Sequence, residues 1–276
     1  MQLEMLISSV NQNPGELLNK MHVNCDAVLI NQCDKNSEEK AVEIKTIDMS
    51  IDSAEKGGYD YFMAKEIYEQ PKAVRDTVSP LIKNGKIVLP FEFPESFIKE
   101  LKRIYIVACG SAYHIGMTAK YIIEDLARIP VTVDIASEFR YRNPIIEKGD
   151  LCIFVSQSGE TADTLASLRE AKKRGAFTMS IVNVLYSTIA RESDGVIYTN
   201  AGAEIAVATT KAFSAQLGVS YILSALLAYE KGLVDDEYIK SFTDEILTLP
   251  EKIKAVLDTD KVTEKLAPHI ATKEHM

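Results

Sequence analysis

The chain has 276 residues, 46% of them hydrophobic, which is enough to bury one large core or two smaller ones. Its formal net charge of −9 argues against a general nucleic-acid binder or a membrane-surface protein, because both partners carry negative charge. The longest helical apolar stretch, at 219–229, is too short to span a membrane. We find no signal peptide and no Cys-x-x-Cys pair, which predicts a cytoplasmic protein with reduced thiols. The histidines lack metal-ligand spacing, which predicts no bound metal.

The N-terminal part predicts a small appendage of mixed α and β structure over residues 1–60. Apolar residues at 25–30 and the alternation at 42–47 each indicate a strand. A helical linker is expected over 61–85, where Pro71 could begin a second helix at its first turn.

Residues 86–250 predict an α/β domain, a three-layer αβα sandwich around a five-stranded parallel sheet. Strands alternate with helices from about residue 101, and the apolar strands suit a sheet that is buried on both faces. Strands are expected at 104–108, 131–134, 151–155, 177–182 and 195–198, and helices at 113–128, 161–174 and 211–230. Residues 251–276 then predict a helical C-terminal tail, with Pro250 as a break before it.

Three loops follow strands of this sheet, and ligands of such sheets bind at the carboxyl ends of the strands. In the first loop, Cys109 precedes Gly110, which lets the backbone approach a ligand closely, and Ser111, which adds a hydroxyl. The alternative is an ordinary turn with Ser111 as the N-cap of the next helix. This short motif alone favours the ordinary turn.

The second loop is the most informative part of the chain. It carries hydroxyls, an amide and a glycine: Ser156, Gln157, Ser158, Gly159 and Thr161. One alternative is capping of the following helix by Ser158 or Thr161, with Glu160 in the first turn. One cap needs only one hydroxyl, however. The surplus favours a phosphate site at the helix start, where backbone N–H groups and the helix dipole attract anions.

The third loop, at 200–211, leaves several roles open. Val207 and Thr209 could line a pocket, and Glu204 is either a structural hydrogen-bond acceptor or a base. Lys211 is either a ligand contact or, more commonly for a lysine near a helix start, a solvated charge. His114 is expected on a helix surface or at an interface. The chain has neither Gly-x-Gly-x-x-Gly after the first strand nor a P-loop, so the sequence supports no nucleotide site.

Taken together, these motifs resemble the first sugar-isomerase (SIS) domain of the glutamine–fructose-6-phosphate aminotransferases, also called glucosamine-6-phosphate synthases. The resemblance rests on 109–111, 136–142, 156–164 and 209–213, and on 65–71, which matches the segment joining the family's glutaminase domain to its isomerase half.

The resemblance implies binding of a hexose 6-phosphate, either fructose 6-phosphate or glucosamine 6-phosphate, without a metal or cofactor. Motif matching assigns phosphate contacts to Ser156, Gln157, Ser158 and Thr161, and sugar contacts to Cys109, Gly110 and Ser111, with Val207 and Thr209 nearby. It assigns no catalytic residue in this chain. Two alternatives remain: a non-catalytic phosphosugar sensor or interaction module, and a different isomerase of the same fold.

The chain also departs from the family pattern. Position 2 is Gln2, where the family's glutaminase domain has its nucleophilic cysteine, and residues 1–34 do not resemble that domain. The appendage is therefore expected to be a remnant of the glutaminase domain or a replacement for it. The second SIS domain of the family is not found, so the chain is expected to be truncated and incomplete as a catalyst. The helices at 113–128 and 219–229 are expected to form a homodimer, or to pack against the second SIS domain.

Overall fold

The computed structural model describes residues 21–24, 27–30 and 55–273. The chain forms two units, and a five-stranded parallel sheet lies at the centre of the larger one. The chain divides into these units between positions 51 and 52. In the smaller unit, β1 (Met21–Asn24) and β2 (Ala27–Ile30) pair in antiparallel register, with β2 inside the strand expected at 25–30. The strand expected at 42–47 lies outside the described residues.

The larger unit alternates strands and helices along most of its length. In chain order its elements are α1 (Phe62–Val78), a 3₁₀ turn (Ser79–Leu81), β3 (Ile82–Lys83), β4 (Lys86–Ile87), α2 (Phe97–Glu100), β5 (Ile104–Ala108), α3 (Ser111–Leu126), β6 (Val131–Ile135), α4 (Ala136–Phe139), β7 (Leu151–Ser156), α5 (Ala162–Lys173), β8 (Phe177–Val182), α6 (Thr188–Glu192), β9 (Gly195–Tyr198), α7 (Lys211–Glu230), α8 (Asp236–Leu247), α9 (Leu249–Leu257) and α10 (Asp260–Ile270).

The sheet has the strand order β6-β5-β7-β8-β9, with every neighbouring pair parallel. This confirms the five-stranded parallel sheet and its covering helices. The first strand of the sheet, β5, lies between the second and the third. The chain therefore leaves β5 in one direction and β7 in the other, and these two strands flank the topological switch point, where ligands of such sheets bind.

Side chains of the strands alternate between two cores, one on each face of the sheet. Ile106 on β5 belongs to the core beneath α3 and α7, together with Ile222. Its neighbour Val107 belongs to the opposite core with Leu168 on α5. All four side chains are fully or almost fully buried, which explains why the strands are apolar on both faces.

The linker contains one helix, which corrects the expectation of a second helix starting at Pro71. α1 continues through Pro71 to Val78. Because proline has no N–H, the Ile67 carbonyl loses its usual helical donor. The Gln70 side-chain Nε2 donates to that carbonyl at 3.1 Å and so replaces the missing backbone bond.

α7 has the bounds expected for its helix, but its apolar stretch is longer and less exposed than the sequence suggested. It has 20 residues and is the one helix in the described ranges that is long and apolar enough to cross a membrane, so the expectation that its stretch is too short is wrong. However, 67% of its most apolar window is buried inside the protein, as in a core helix. It packs against α1 and α3. Most of 219–229 is therefore covered by the chain itself and is not a free surface for a second copy.

The tail is helical, and Pro250 lies in the first turn of α9, directly after α8 ends. α9 packs along α1, where Arg75 and Glu251 form an ion pair at 3.3 Å. α10 is exposed along its whole length, and Tyr68 donates a hydrogen bond to Asp260 at its start.

Candidate functional site

A cleft of about 190 Å³ opens at the carboxyl edge of the sheet, at the switch point between β5 and β7. Seven of the nine predicted site residues line it: Cys109, Ser111, Ser156, Gln157, Ser158, Thr161 and Thr209. The fold therefore brings all three predicted loops to one place.

The second loop is shaped by its own hydroxyls. Ser156 Oγ accepts a hydrogen bond from the Gly159 N–H at 3.0 Å, and Ser158 Oγ accepts one from the Glu160 N–H at 3.2 Å. Gly159 has a φ of +66°, and a Cβ at this position would lie 2.0 Å from Ser187 Oγ. Only glycine meets both requirements, because it favours this conformation and has no Cβ.

The structure does not show Ser158 or Thr161 capping the helix that follows this loop. Thr161 is the N-cap residue of α5, but within the described part of the chain no side chain caps this helix. The Thr161 hydroxyl instead lies 3.2 Å from Ser156 Oγ. Glu160 turns away to accept a hydrogen bond from the Thr188 N–H at 2.7 Å, at the start of α6. The first-turn N–H groups of α5 therefore have no acceptor on the side chain of their N-cap residue, and that residue, Thr161, lines the cleft.

The first loop places the start of α3 beside this helix. Gly110 is the N-cap residue of α3 with a φ of 57°, so Ser111 is the first helical residue and not the cap. Gly110 does not line the cleft itself, but its backbone turn directs Ser111 into it. Cys109 is half-buried, and its Sγ atom lies 3.9 Å from the Thr164 hydroxyl on α5.

The third loop contributes one of its two predicted residues. Val207 is fully exposed and does not line the cleft, whereas Thr209 does. Glu204 Oε1 accepts hydrogen bonds from Thr209 Oγ1 at 2.9 Å and from the Thr210 N–H at 3.1 Å. It also accepts from the Ala212 N–H at 3.4 Å. Of the two roles left open for Glu204, the structure supports the structural acceptor, at the N-terminus of α7.

Lys211 is not the solvated charge that its position suggests. It is 3% exposed, and its Nζ atom lies 2.6 Å from Glu69 Oε2 on α1. A neighbouring α1 residue, Glu66, is 2% exposed and accepts hydrogen bonds from the N–H groups of Ile205 and Ala206 at 2.6 and 2.9 Å. The linker helix thus holds the third loop in place.

Charged groups near α5 pair with one another. Arg140 Nη1 lies 2.7 Å from Asp163 Oδ1 in the first turn of α5, and this hydrogen bond raises the pKa of Arg140. Within the described residues, no three His, Cys, Asp or Glu side chains lie close enough together to hold a metal ion.

Sequence reasoning missed three residues that line the cleft, namely Ala112, Val155 and Gln216. Ala112 and Val155 are chain neighbours of predicted residues. Gln216 is the one amide side chain in a mostly apolar helix, and that contrast is the signal that could have identified it. His114, expected at a surface, is exposed on α3.

The comparisons with known proteins agree with this geometry. The SIS domain model matches residues 97–226. A glutamine–fructose-6-phosphate aminotransferase [isomerizing] of Clostridium tetani is 51% identical over 245 residues, covering 88% of this chain and 40% of the relative. The same enzyme of Clostridium acetobutylicum is 51% identical over 227 residues, covering 82% of this chain and 37% of the relative.

Among solved structures, the C-terminal domain of glucosamine-fructose-6-phosphate aminotransferase from Francisella tularensis superposes with a TM-score of 0.75 at 42% identity. The match covers 80% of this chain and 62% of that one. The chain thus spans about two fifths of the length of the curated relatives it matches.

Proposed function

The chain belongs, through residues 97–226, to the SIS domain family, and from this membership we propose that its cleft binds a hexose 6-phosphate. The chain is homologous to the isomerase domain of the glutamine–fructose-6-phosphate aminotransferases. Fructose 6-phosphate and glucosamine 6-phosphate are the proposed ligands.

The observation that carries the proposal is the uncapped start of α5 within the cleft. Its first-turn N–H groups and the positive end of its dipole suit a phosphate. Ser156, Ser158 and Thr161 add hydroxyl donors around the same point, and Gln157 adds an amide. A dianion can be bound here without a lysine, since oriented N–H groups and hydroxyls provide charge-assisted hydrogen bonds.

The sugar part is proposed to lie toward Cys109, Ser111 and Thr209, the lining residues of the first and third loops. Gly110 supports this arrangement through its backbone, by setting the direction of α3. We include Val207 only as a residue that a bound ligand could draw inward from its exposed position.

We propose binding, and not complete catalysis, for this cleft. Proton transfer between sugar carbons needs a general acid or base near the reacting atoms. The described lining holds no histidine, carboxylate or lysine; its side chains are one thiol, hydroxyls, amides and apolar groups. The aminotransferase reaction as a whole therefore requires groups beyond those lining this cleft. A phosphosugar sensor is the second candidate, favoured by the same lack of acid–base groups.

We also propose that the protein acts in the cytoplasm and as a homodimer. α3, on which Tyr121 is 69% exposed, offers a more accessible surface for a second copy than α7 does. Size-exclusion chromatography with light scattering tests the dimer, and a monomer at all concentrations would contradict it.

Calorimetric titration of the 276-residue chain with fructose 6-phosphate tests the binding proposal. We expect measurable binding by the parent and at least tenfold weaker binding by a Ser158→Ala, Thr161→Ala variant, because hydrogen bonds to a charged group contribute about 1.5–3 kcal/mol each. The matched control is Ser193→Ala, Thr259→Ala, whose hydroxyls bond to backbone carbonyls outside the cleft. Absence of binding by the parent, or equal binding by the first variant, contradicts the proposal.

A further inference from the structure

Gln216 is buried in the wall of the cleft with part of its hydrogen-bonding capacity unused. It lies in the second turn of α7, is 3% exposed and lines the cleft. Its Nε2 atom is buried and makes no hydrogen bond within the described part of the chain. Leaving such a donor unpaired is costly, and native structures rarely do so without water, an ion or a ligand to accept the bond.

Gln70, a second helical glutamine, shows how the fold satisfies an amide that has a structural role. Its Nε2 atom donates to the Ile67 carbonyl at 3.1 Å, and its Oε1 atom accepts from Ser214 Oγ at 2.6 Å. Both ends of that amide are used inside the protein. At Gln216 the amide nitrogen has no such partner among the described residues, and Gln216 lines the cleft.

We propose that Gln216 is a specificity-determining residue whose side-chain amide donates a hydrogen bond to an oxygen of the sugar part of the ligand. This inference rests on the proposed function, in which the start of α5 binds the phosphate. The terminal torsion of glutamine is broad, so a rotation can turn the amide donors toward the cleft. A site with a buried donor rejects ligands that lack the matching oxygen, because the donor then stays unpaired.

The test compares fructose 6-phosphate with inorganic phosphate as titrants of the full chain and of Gln216→Met. Methionine keeps most of the side-chain volume and removes the donor. We expect the Kd for fructose 6-phosphate to rise about tenfold, the loss typical of one hydrogen bond, while the Kd for phosphate changes less than twofold. The Tm of the unliganded variant should be unchanged or higher, because the unpaired donor is gone.

Gln70→Met is the matched control, because its amide is bonded within the fold and lies outside the cleft lining. It should lower the Tm and leave the ratio of the two Kd values unchanged. If Gln216→Met also lowers the Tm and weakens both ligands equally, Gln216 has a structural role and the inference is overturned.

The remaining outcomes separate this inference from the proposed function. If the parent binds neither titrant, both fail. If the parent binds fructose 6-phosphate and Gln216→Met binds it equally well, only the role of Gln216 fails. Should Gln216→Met not fold, the assigned side-chain amide resonances of Gln216 in the parent decide the matter. A shift with fructose 6-phosphate but not with phosphate supports the inference, and no shift overturns it.

Discussion

At the scale of single residues, Gly159 is the most constrained of the described glycines. A Cβ built there lies 2.0 Å from Ser187 Oγ and 2.5 Å from Ser187 Cβ, so rotating the serine hydroxyl does not relieve the clash. The residue also has a positive φ, which side chains with a Cβ rarely adopt. This position makes the second loop sensitive to a single methyl group.

Gly159→Ala is expected to lower the free energy of unfolding by about 2–4 kcal/mol, from overpacking and backbone strain together. Urea denaturation measures the loss. Gly232→Ala is the matched control, since its φ is also positive at 70° but a Cβ there meets no atom of the described residues within 4 Å. That control should lose only about 1 kcal/mol.

A double variant separates the two contributions at Gly159. Adding Ser187→Gly to Gly159→Ala removes both atoms that clash, so part of the lost stability should return while the backbone strain remains. No recovery in the double variant would show that the contact with Ser187 is not the cause.

At the scale of elements, α1 connects to the cleft through the third loop. The Glu66 carboxylate accepts hydrogen bonds from two N–H groups of that loop, and Lys211 at the start of α7 pairs with Glu69 on α1. The loop also carries Thr209, which lines the cleft. The orientation of α1 therefore affects one wall of the ligand site.

Glu66→Ala should leave the N–H groups of Ile205 and Ala206 without their acceptor and destabilise the protein by about 2–3 kcal/mol. Urea denaturation measures this loss. Hydrogen exchange should quicken at Ile205 and Ala206 well before it does in the sheet.

Glu251→Ala is the control for Glu66→Ala. It also removes a carboxylate, but Glu251 lies on α9 and its ion pair with Arg75 of α1 is exposed. We expect little change in stability or exchange. Unchanged exchange at Ile205 in Glu66→Ala would contradict the anchoring role.

Asp194 joins the starts of β8 and β9, and its ionisation should affect stability in acid. Burial alone would raise the pKa of this carboxyl, but hydrogen bonds from Lys172 and Thr178 outweigh burial and lower the pKa. A lowered folded-state pKa contributes stability above the unfolded value of about 4, and this contribution is lost as the pH falls through the folded pKa.

Asp194→Asn should therefore flatten the dependence of unfolding free energy on pH below about pH 4. Denaturation at a series of pH values measures the slope. Asp258→Asn is the control, because its pair with Lys254 is about two-thirds exposed on both sides. Equal slopes in the parent and in Asp194→Asn would contradict the prediction.

The elements and the cleft differ in how much of them the sequence predicts. The five strands are apolar runs between turn residues, and the structure places each within one residue of its expected bounds. The role of Pro71 could not be predicted, because a side chain replaces the backbone donor that proline lacks. The role of Lys211 could not be predicted, because its partner is distant in the chain. Gln70 bonds to Ile67 within the helix, and Lys211 meets a carboxylate 142 residues away.

At the scale of the whole molecule, the strand order determines where a ligand can lie. The connections after β5 and β7 run to opposite faces of the sheet, so their first residues separate and leave a crevice. The hydroxyl-rich loop lies at this crevice because it follows β7. The sequence motif marks the phosphate loop, and the topology brings the residues after β5 and before α7 beside it.

The C-terminal helices contribute unequally to the stability of the molecule. Leu249 and Ile253 of α9 pack against the main core, and Pro250 is buried. By contrast, α10 has no buried residue, and its described link to the rest of the fold is the exposed hydrogen bond between Tyr68 and Asp260. A chain that ends after Asp258 should therefore keep its Tm within about 2 °C of the parent, because an exposed polar contact contributes little.

A chain that ends after Leu247 should lose the apolar contacts of α9 as well. Partial burial of two aliphatic side chains contributes roughly 2–3 kcal/mol, which lowers the Tm by about 5–10 °C in a unit of this size. Thermal denaturation followed by circular dichroism compares both shortened chains with the parent. If the chain ending after Asp258 melts as early as the shorter one, α10 contributes to stability through contacts beyond its hydrogen bond to Tyr68. The conclusion that α9 is the last helix to stabilise the core would then be wrong.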